Sequence, residues 1–281
     1  MRFASGGRTL ERLAGGNPSG APRAPRRWRT ITVGPDPWAG RYAEDEEWLR
    51  DPGPSAAREI LQQALLFPAT RFMVRPRVIG AADLMHAPQP AILAPNHESD
   101  LDTPLVLLAL PRAWRPNTVV GAASDRFYRR RRYALAAGLW INTFPFDRGG
   151  GQRRGLAAAA AHLREGRNVL LFPQATRGAG PEGYRSGVAE LALTTGVPVV
   201  PIHVGGSGLA MPKGRGLDRR ARATIAFGRP LYPRPDEVAT ELTERLRAAI
   251  GALEGDRGHS HGASTWRSLR ESLRGFPGGV R

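Results

Sequence analysis

Within the run Ala91-Ile92-Leu93-Ala94-Pro95-Asn96-His97-Glu98-Ser99-Asp100-Leu101-Asp102 the chain passes from an apolar strand, through a polar loop, into a helix that begins near Asp102. A short apolar run closed by proline reads as a buried strand, and a loop at the end of such a strand is where an α/β protein carries its chemistry. The loop holds a histidine five positions ahead of an aspartate. Histidine is the side chain most easily poised near neutral pH, and a carboxylate on its second ring nitrogen fixes the tautomer and supports the imidazolium. His97 is thus a candidate general base. Asp100 and Asp102 both lie within reach of it on spacing alone. Ser99 reads either as a helix-capping hydroxyl or as a nucleophile, the cap being the commoner use of a serine at this position.

Outward from this loop, short apolar runs at residues 91–94, 118–121, 143–146, 168–172, 197–204 and 223–227 read as strands, with a shorter one near 77–79. Helical stretches at residues 103–110, 124–137, 152–164, 186–195 and 236–252 separate them. Strands alternating with helices predict an α/β fold, a mixed and largely parallel sheet covered by helices on both faces. Residues 56–74 read as a leading amphipathic helix broken at Pro68, carrying Ile60, Leu61, Leu65, Phe67 and Phe72 beside Arg71, Arg75 and Arg77. Such a helix packs on the core or lies on a membrane surface.

Residues 1–55, rich in Gly, Pro and Arg, and residues 255–281 read as disordered extensions, leaving 56–254 as the domain. Trp38 and Trp48 are possible sticking points in the first extension. The formal charge is +16, with 41 Lys plus Arg against 25 Asp plus Glu, and Cys is absent. This surplus suits acidic partners: an anionic membrane surface, a phosphorylated substrate, an acidic carrier protein or nucleic acid. Nucleic acid is set aside because no stacking platform or recognition motif accompanies the charge. The absence of cysteine excludes disulfides, thiolate metal sites and a Cys nucleophile. No apolar run approaches the roughly 18 residues that span a bilayer. The start of the chain also lacks the apolar core of a signal peptide. The expectation is a cytoplasmic protein, peripheral on the inner face of the cell membrane.

Three further loops stand at strand ends. Phe144-Pro145-Phe146-Asp147-Arg148 runs into a triple glycine, Phe172-Pro173-Gln174-Ala175-Thr176-Arg177 follows the strongest strand, and Val197-Pro198-Val199-Val200-Pro201 lies in or beside another. Arg148 and Arg177 stand just past strands, where a guanidinium can hold phosphate by paired hydrogen bonds. The cluster Arg126, Arg129, Arg130, Arg131 and Arg132 suits an acidic carrier, a membrane or a solvated helix face. Gly178-Ala179-Gly180-Pro181-Glu182-Gly183 fits the dinucleotide fingerprint only formally, because it does not join a strand to a helix, and reads as a flexible loop. Gly205-Gly206-Ser207-Gly208 lacks the last glycine of a nucleophile elbow. The histidines show no metal-ligand spacing.

On these residues the chain resembles the phospholipid and glycerol acyltransferase family, which includes the 1-acylglycerol-3-phosphate acyltransferases. The family's four blocks occur in order over about residues 58–250. Asn96, His97, Ser99 and Asp102 match the first in full, and Arg148 matches the end of the second, whose leading Gly is Asn142 here. Phe172, Pro173, Thr176 and Arg177 match the third, with Gln174 and Ala175 in place of Glu and Gly. Val197, Pro198, Val199 and Pro201 match the fourth.

The resemblance implies a glycerolipid acyltransferase-like fold and transfer of a fatty acyl chain from acyl-CoA or acyl carrier protein to the hydroxyl of a lysophospholipid. It assigns catalysis to His97 and Asp102, and substrate binding to Asn96, Ser99, Arg148, Phe172, Pro173, Gln174, Thr176 and Arg177. No cofactor or metal is implied beyond the thioester co-substrate. Gln174 lacks the carboxylate of the family residue, so altered acceptor choice is expected of it. The alternative reading is a non-catalytic acyltransferase-like module that binds lipid or a partner.

Overall fold

The computed structural model describes residues 45–147, 152–174, 176–210 and 221–255. The expectations attached to Arg148, Ala175, residues 1–44 and residues 256–281 fall outside these. The sheet has seven strands: β1 (Arg75–Ile79), β2 (Ile92–Pro95), β3 (Thr118–Ala123), β4 (Thr143–Phe146), β5 (Asn168–Leu170), β6 (Val199–Gly205) and β7 (Arg222–Phe227), in the order β1-β7-β6-β2-β5-β3-β4. Every neighbouring pair is parallel except β6 with β7.

Alternation along the strands divides the core. Leu93, Val120, Leu170 and Val200 face one cluster, which also holds Phe67, Leu105 and Trp114. Ile92, Ala94, Val119, Val169, Leu171 and Val199 face the other, with Leu156, Leu163, Leu191, Leu242 and Leu246. Both faces are therefore dry, which is why these strands read as continuous apolar runs.

The helices are α1 (Pro52–Leu61), α2 (Phe67–Met73), α3 (Ala81–Leu84), α4 (Asp102–Ala109), α5 (Ser124–Phe127), α6 (Arg131–Ile141), α7 (Gln152–Arg164), α8 (Gly187–Thr195), α9 (Ser207–Ala210) and α10 (Ala239–Gly255). The expected break at Pro68 is absent. A π-helical turn, Gln62–Leu66, joins α1 to α2, and Pro68 falls in the first turn of α2. The Phe67 N–H donates to the Gln62 carbonyl, and Pro68 stands in a first-turn position where its missing N–H costs little, so the helical path continues. The single helix expected over residues 124–137 is instead two. Tyr128 is buried and donates from its hydroxyl to Thr143 Oγ1 at 3.0 Å, which ends α5. Arg130 is extended before α6 begins.

The packed unit also starts earlier than Ala56. Leu49 is buried, and a Cβ on Gly138 would stand 2.2 Å from its Cδ1 atom, so only glycine lets this segment approach α6. The buried Arg58 guanidinium donates to the Gly138 carbonyl at 3.0 Å and to the Leu49 carbonyl. Burial, with the Arg50 charge added, lowers its pKa to about 10.

Candidate active site

The C-terminal ends of the parallel strands meet at one edge of the sheet, and the loops there build the site. Asn96 closes β2. Its amide donates to the Val204 carbonyl at 2.9 Å and accepts the Val204 N–H at 2.6 Å, pinning the loop to β6. Just beyond, His97 Nδ1 lies 2.8 Å from Asp102 Oδ2. With Nδ1 engaged, Nε2 is the nitrogen left for a substrate proton.

Asp102 opens α4 and has no solvent exposure. Donors supply what water would. Oδ2 also accepts the N–H groups of Glu98 at 2.7 Å and Ser99 at 2.8 Å, and Oδ1 accepts the Ser207 hydroxyl at 2.5 Å. A buried carboxylate with a full set of donors is held in one orientation, and so is the imidazole bonded to it. Phe172 stacks on the other side of that ring, with centroids 4.0 Å apart and planes at 27°.

Asp100, the rival partner for His97, points elsewhere. It accepts from Arg126 Nη1 at 2.8 Å and from Arg177 Nη1 at 2.5 Å. Partial burial pushes its carboxyl up, but the bond to Arg126 and the Arg126, Arg177 and His97 charges outweigh this and leave it below the usual carboxylate range. The same bond raises the Arg126 guanidinium further. Ser99 is buried; its hydroxyl accepts the Leu101 N–H at 3.3 Å, a turn-capping contact that leaves no access for a nucleophile.

His97 opens on a cavity of about 780 Å³. Asp100, Arg126, Arg177 and Arg185 supply its charged wall, and Val120, Ala122, Ile141, Phe146, Leu171 and Val188 an apolar one. Phe172, Pro173 and Gln174 complete the lining.

Thus His97, Phe172, Pro173, Gln174 and Arg177 converge, with Asp102 behind His97. Asn96 and Ser99, expected to bind substrate, instead hold the loop, and Thr176 is exposed. The arginine cluster is not one face: Arg126 pairs with Asp100, Arg131 with Asp45, and Arg132 covers the Tyr133 ring. Ser207 and Arg126 join the site without being marked for it by any motif in the sequence. Ser207 sits in a Gly-rich run whose only sequence signal is a small polar residue after a buried strand.

Residues 76–205 match the profile of the family described as Acyltransferase, a span that runs from β1 to the end of β6. Over 178 residues the chain is 28% identical to a 1-acyl-sn-glycerol-3-phosphate acyltransferase of Chlamydomonas reinhardtii, covering 62% of this chain and 52% of that one. Over 97 residues it is 35% identical to the chloroplastic 1-acyl-sn-glycerol-3-phosphate acyltransferase BAT2 of Brassica napus, covering 32% of this chain and 28% of that one. The chain therefore spans about half the length, or less, of these curated relatives. The crystal structure of the 1-acyl-sn-glycerophosphate acyltransferase PlsC from Thermotoga maritima has the same fold, with a TM-score of 0.50 at 19% identity over 79% of this chain and 90% of that one. The segment that carries His97, Asp102, Gln174 and Arg177 lies within residues 76–205, the part of the chain that matches the Acyltransferase family model.

Proposed function

We propose that this protein is an O-acyltransferase that moves a fatty acyl chain from a thioester, acyl-CoA or acyl carrier protein, to the hydroxyl of a lysophospholipid such as 1-acylglycerol-3-phosphate. The observation that carries this reading is the His97 Nδ1 to Asp102 Oδ2 bond at 2.8 Å on the wall of the cavity. His97 Nε2 takes the proton from the acceptor hydroxyl, and the oxygen attacks the thioester carbonyl. The tetrahedral intermediate collapses with cleavage of the C–S bond, and the departing thiolate takes the proton back from the imidazolium. Asp102 holds the ring and balances its charge. Arg177 and Arg126 suit the acceptor phosphate. The apolar wall suits the alkyl chain, each buried methylene contributing about 0.8 kcal/mol. The alternative, a binding module without chemistry, would bind lipid in the same cavity and release no thiol.

The surface of α1 and α2 supports docking on an anionic membrane. One side, Arg58, Gln62, Phe67 and Thr70, is buried, while Ile60, Leu65 and Phe72 are exposed beside the exposed Arg71, Arg75 and Arg77. Among the described residues no helix is long and apolar enough to cross a membrane. Peripheral docking through this surface, on the inner face of the cell membrane, suits its exposed apolar side chains and arginines.

The test is release of free thiol from acyl-CoA, and in a parallel arm from acyl carrier protein, in the presence of 1-acylglycerol-3-phosphate. Wild type should turn over and His97→Ala should lose at least a hundredfold. Equal rates for the two would remove His97 as the base.

A further inference from the structure

Gln174 stands where the resembling family carries Glu, and its surroundings give that difference a use. The side chain is 7% exposed, and both ends of its amide are taken. Oε1 accepts the His97 backbone N–H at 2.6 Å, and Nε2 donates to the Gly180 carbonyl at 2.7 Å. A second bond runs beside these: the Gly178 N–H donates to the His97 carbonyl at 2.9 Å. The main chain of His97 is therefore gripped on its donor by Gln174 and on its acceptor by Gly178. Gly178 and Gly180 have φ of +68° and +62°, which turns their polar groups toward these partners at no steric cost only for glycine. The run that reads as a flexible loop in sequence is thus a strap over the catalytic loop. A pairing of Gln174 with Tyr184 anchors the strap's base.

We propose that Gln174 is a positioning residue that holds the His97 main chain against the Gly178–Gly180 strap, and that it does not select the acceptor. Only an amide fits both contacts. A carboxylate accepts from His97 N–H with one oxygen but sets its other oxygen against the Gly180 carbonyl, two acceptors with no proton between them. Installing the family's glutamate therefore harms this chain instead of restoring it. The effect on turnover rests on the acyltransferase reading; the effect on His97 does not.

Two measurements on the full chain separate the proposals. In the first, Gln174→Glu and Gln174→Met are assayed with acyl-CoA and either 1-acylglycerol-3-phosphate or an uncharged monoacylglycerol. Both variants should lose tenfold or more in kcat on both acceptors with KM changed less than twofold. A change confined to the KM of one acceptor, or an unchanged kcat, overturns positioning in favour of recognition.

The second uses 15N-histidine labelling, which gives one amide signal for each of six histidines; the signal missing from His97→Ala belongs to His97. Its proton should lie far downfield in wild type and move upfield in Gln174→Met. An unmoved signal overturns the proposal whether or not the protein turns over. Loss of turnover in wild type with the shift intact overturns only the acyltransferase reading.

Discussion

The Ser207 hydroxyl, 105 residues downstream of Asp102, donates to Asp102 Oδ1 at 2.5 Å inside the protein. Ser207 opens α9 just past β6, and the residues matching the acyltransferase profile end at 205, so this support comes from outside the matched span. Without the hydroxyl, Asp102 keeps the donors on Oδ2 and loses the one on Oδ1. Ser207→Ala should lower kcat about tenfold while leaving KM for both substrates within twofold, read by steady-state kinetics. A raised KM with unchanged kcat would move Ser207 from support of the base to substrate binding.

Asp100 occupies Arg126 and Arg177, the two guanidinium groups to which the proposed function gives the acceptor phosphate. All three side chains are 40–50% exposed, so the pairs contribute little to stability and exchange readily. Asp100→Asn should lower KM for 1-acylglycerol-3-phosphate severalfold at low ionic strength, with less effect at high salt. KM for an uncharged acceptor should stay put. A raised KM would mean that the carboxylate orders Arg177 instead of competing for it.

The exposed face of α1 and α2 gives a separable prediction. Ile60→Asp with Phe72→Asp should reduce cosedimentation with vesicles containing anionic lipid by tenfold or more. Turnover of a short-chain, water-soluble donor and acceptor should remain near wild type. Retained vesicle binding would send the docking surface elsewhere.

His162 governs part of the acid response. Burial above all, then the Arg50 and Arg167 charges, lowers its pKa from 6.5 to about 3. The unfolded chain therefore takes up this proton near pH 6.5 while the folded chain refuses it until about 3, and stability falls as pH drops through that window. The slope from this residue approaches about 1.4 kcal/mol per pH unit. Denaturant melts of His162→Leu should show a shallower decline over the same window; parallel curves would refute the assignment.

The sheet and the pairing of His97 with Asp102 were legible because local pattern carries them. Strands buried on both faces are continuous apolar runs, and the His97 to Asp102 spacing spans one loop and a helix start. What stayed hidden depends on distant chain. The π turn before Pro68 carries Phe67 and Thr70 into the buried side of the helix, which no local pattern announces. The split between α5 and α6 follows from Tyr128 reaching Thr143. The resemblance assigns Asn96 and Ser99 to substrate binding; Ser99 makes the capping contact that its own position suggested, while the loop-holding role of Asn96 depends on Val204, 108 residues away. Gln174 read as a lost charge, when the relevant fact was a carbonyl at Gly180 that needs a donor.

Strand order has a consequence for synthesis. β7 lies between β1 and β6, so β1 has no neighbour until residue 227 has left the ribosome. At ordinary elongation rates that leaves an edge unpaired for roughly ten seconds or more. Arg75 and Arg77, both exposed on β1, give the waiting strand charge that discourages premature pairing with other nascent chains.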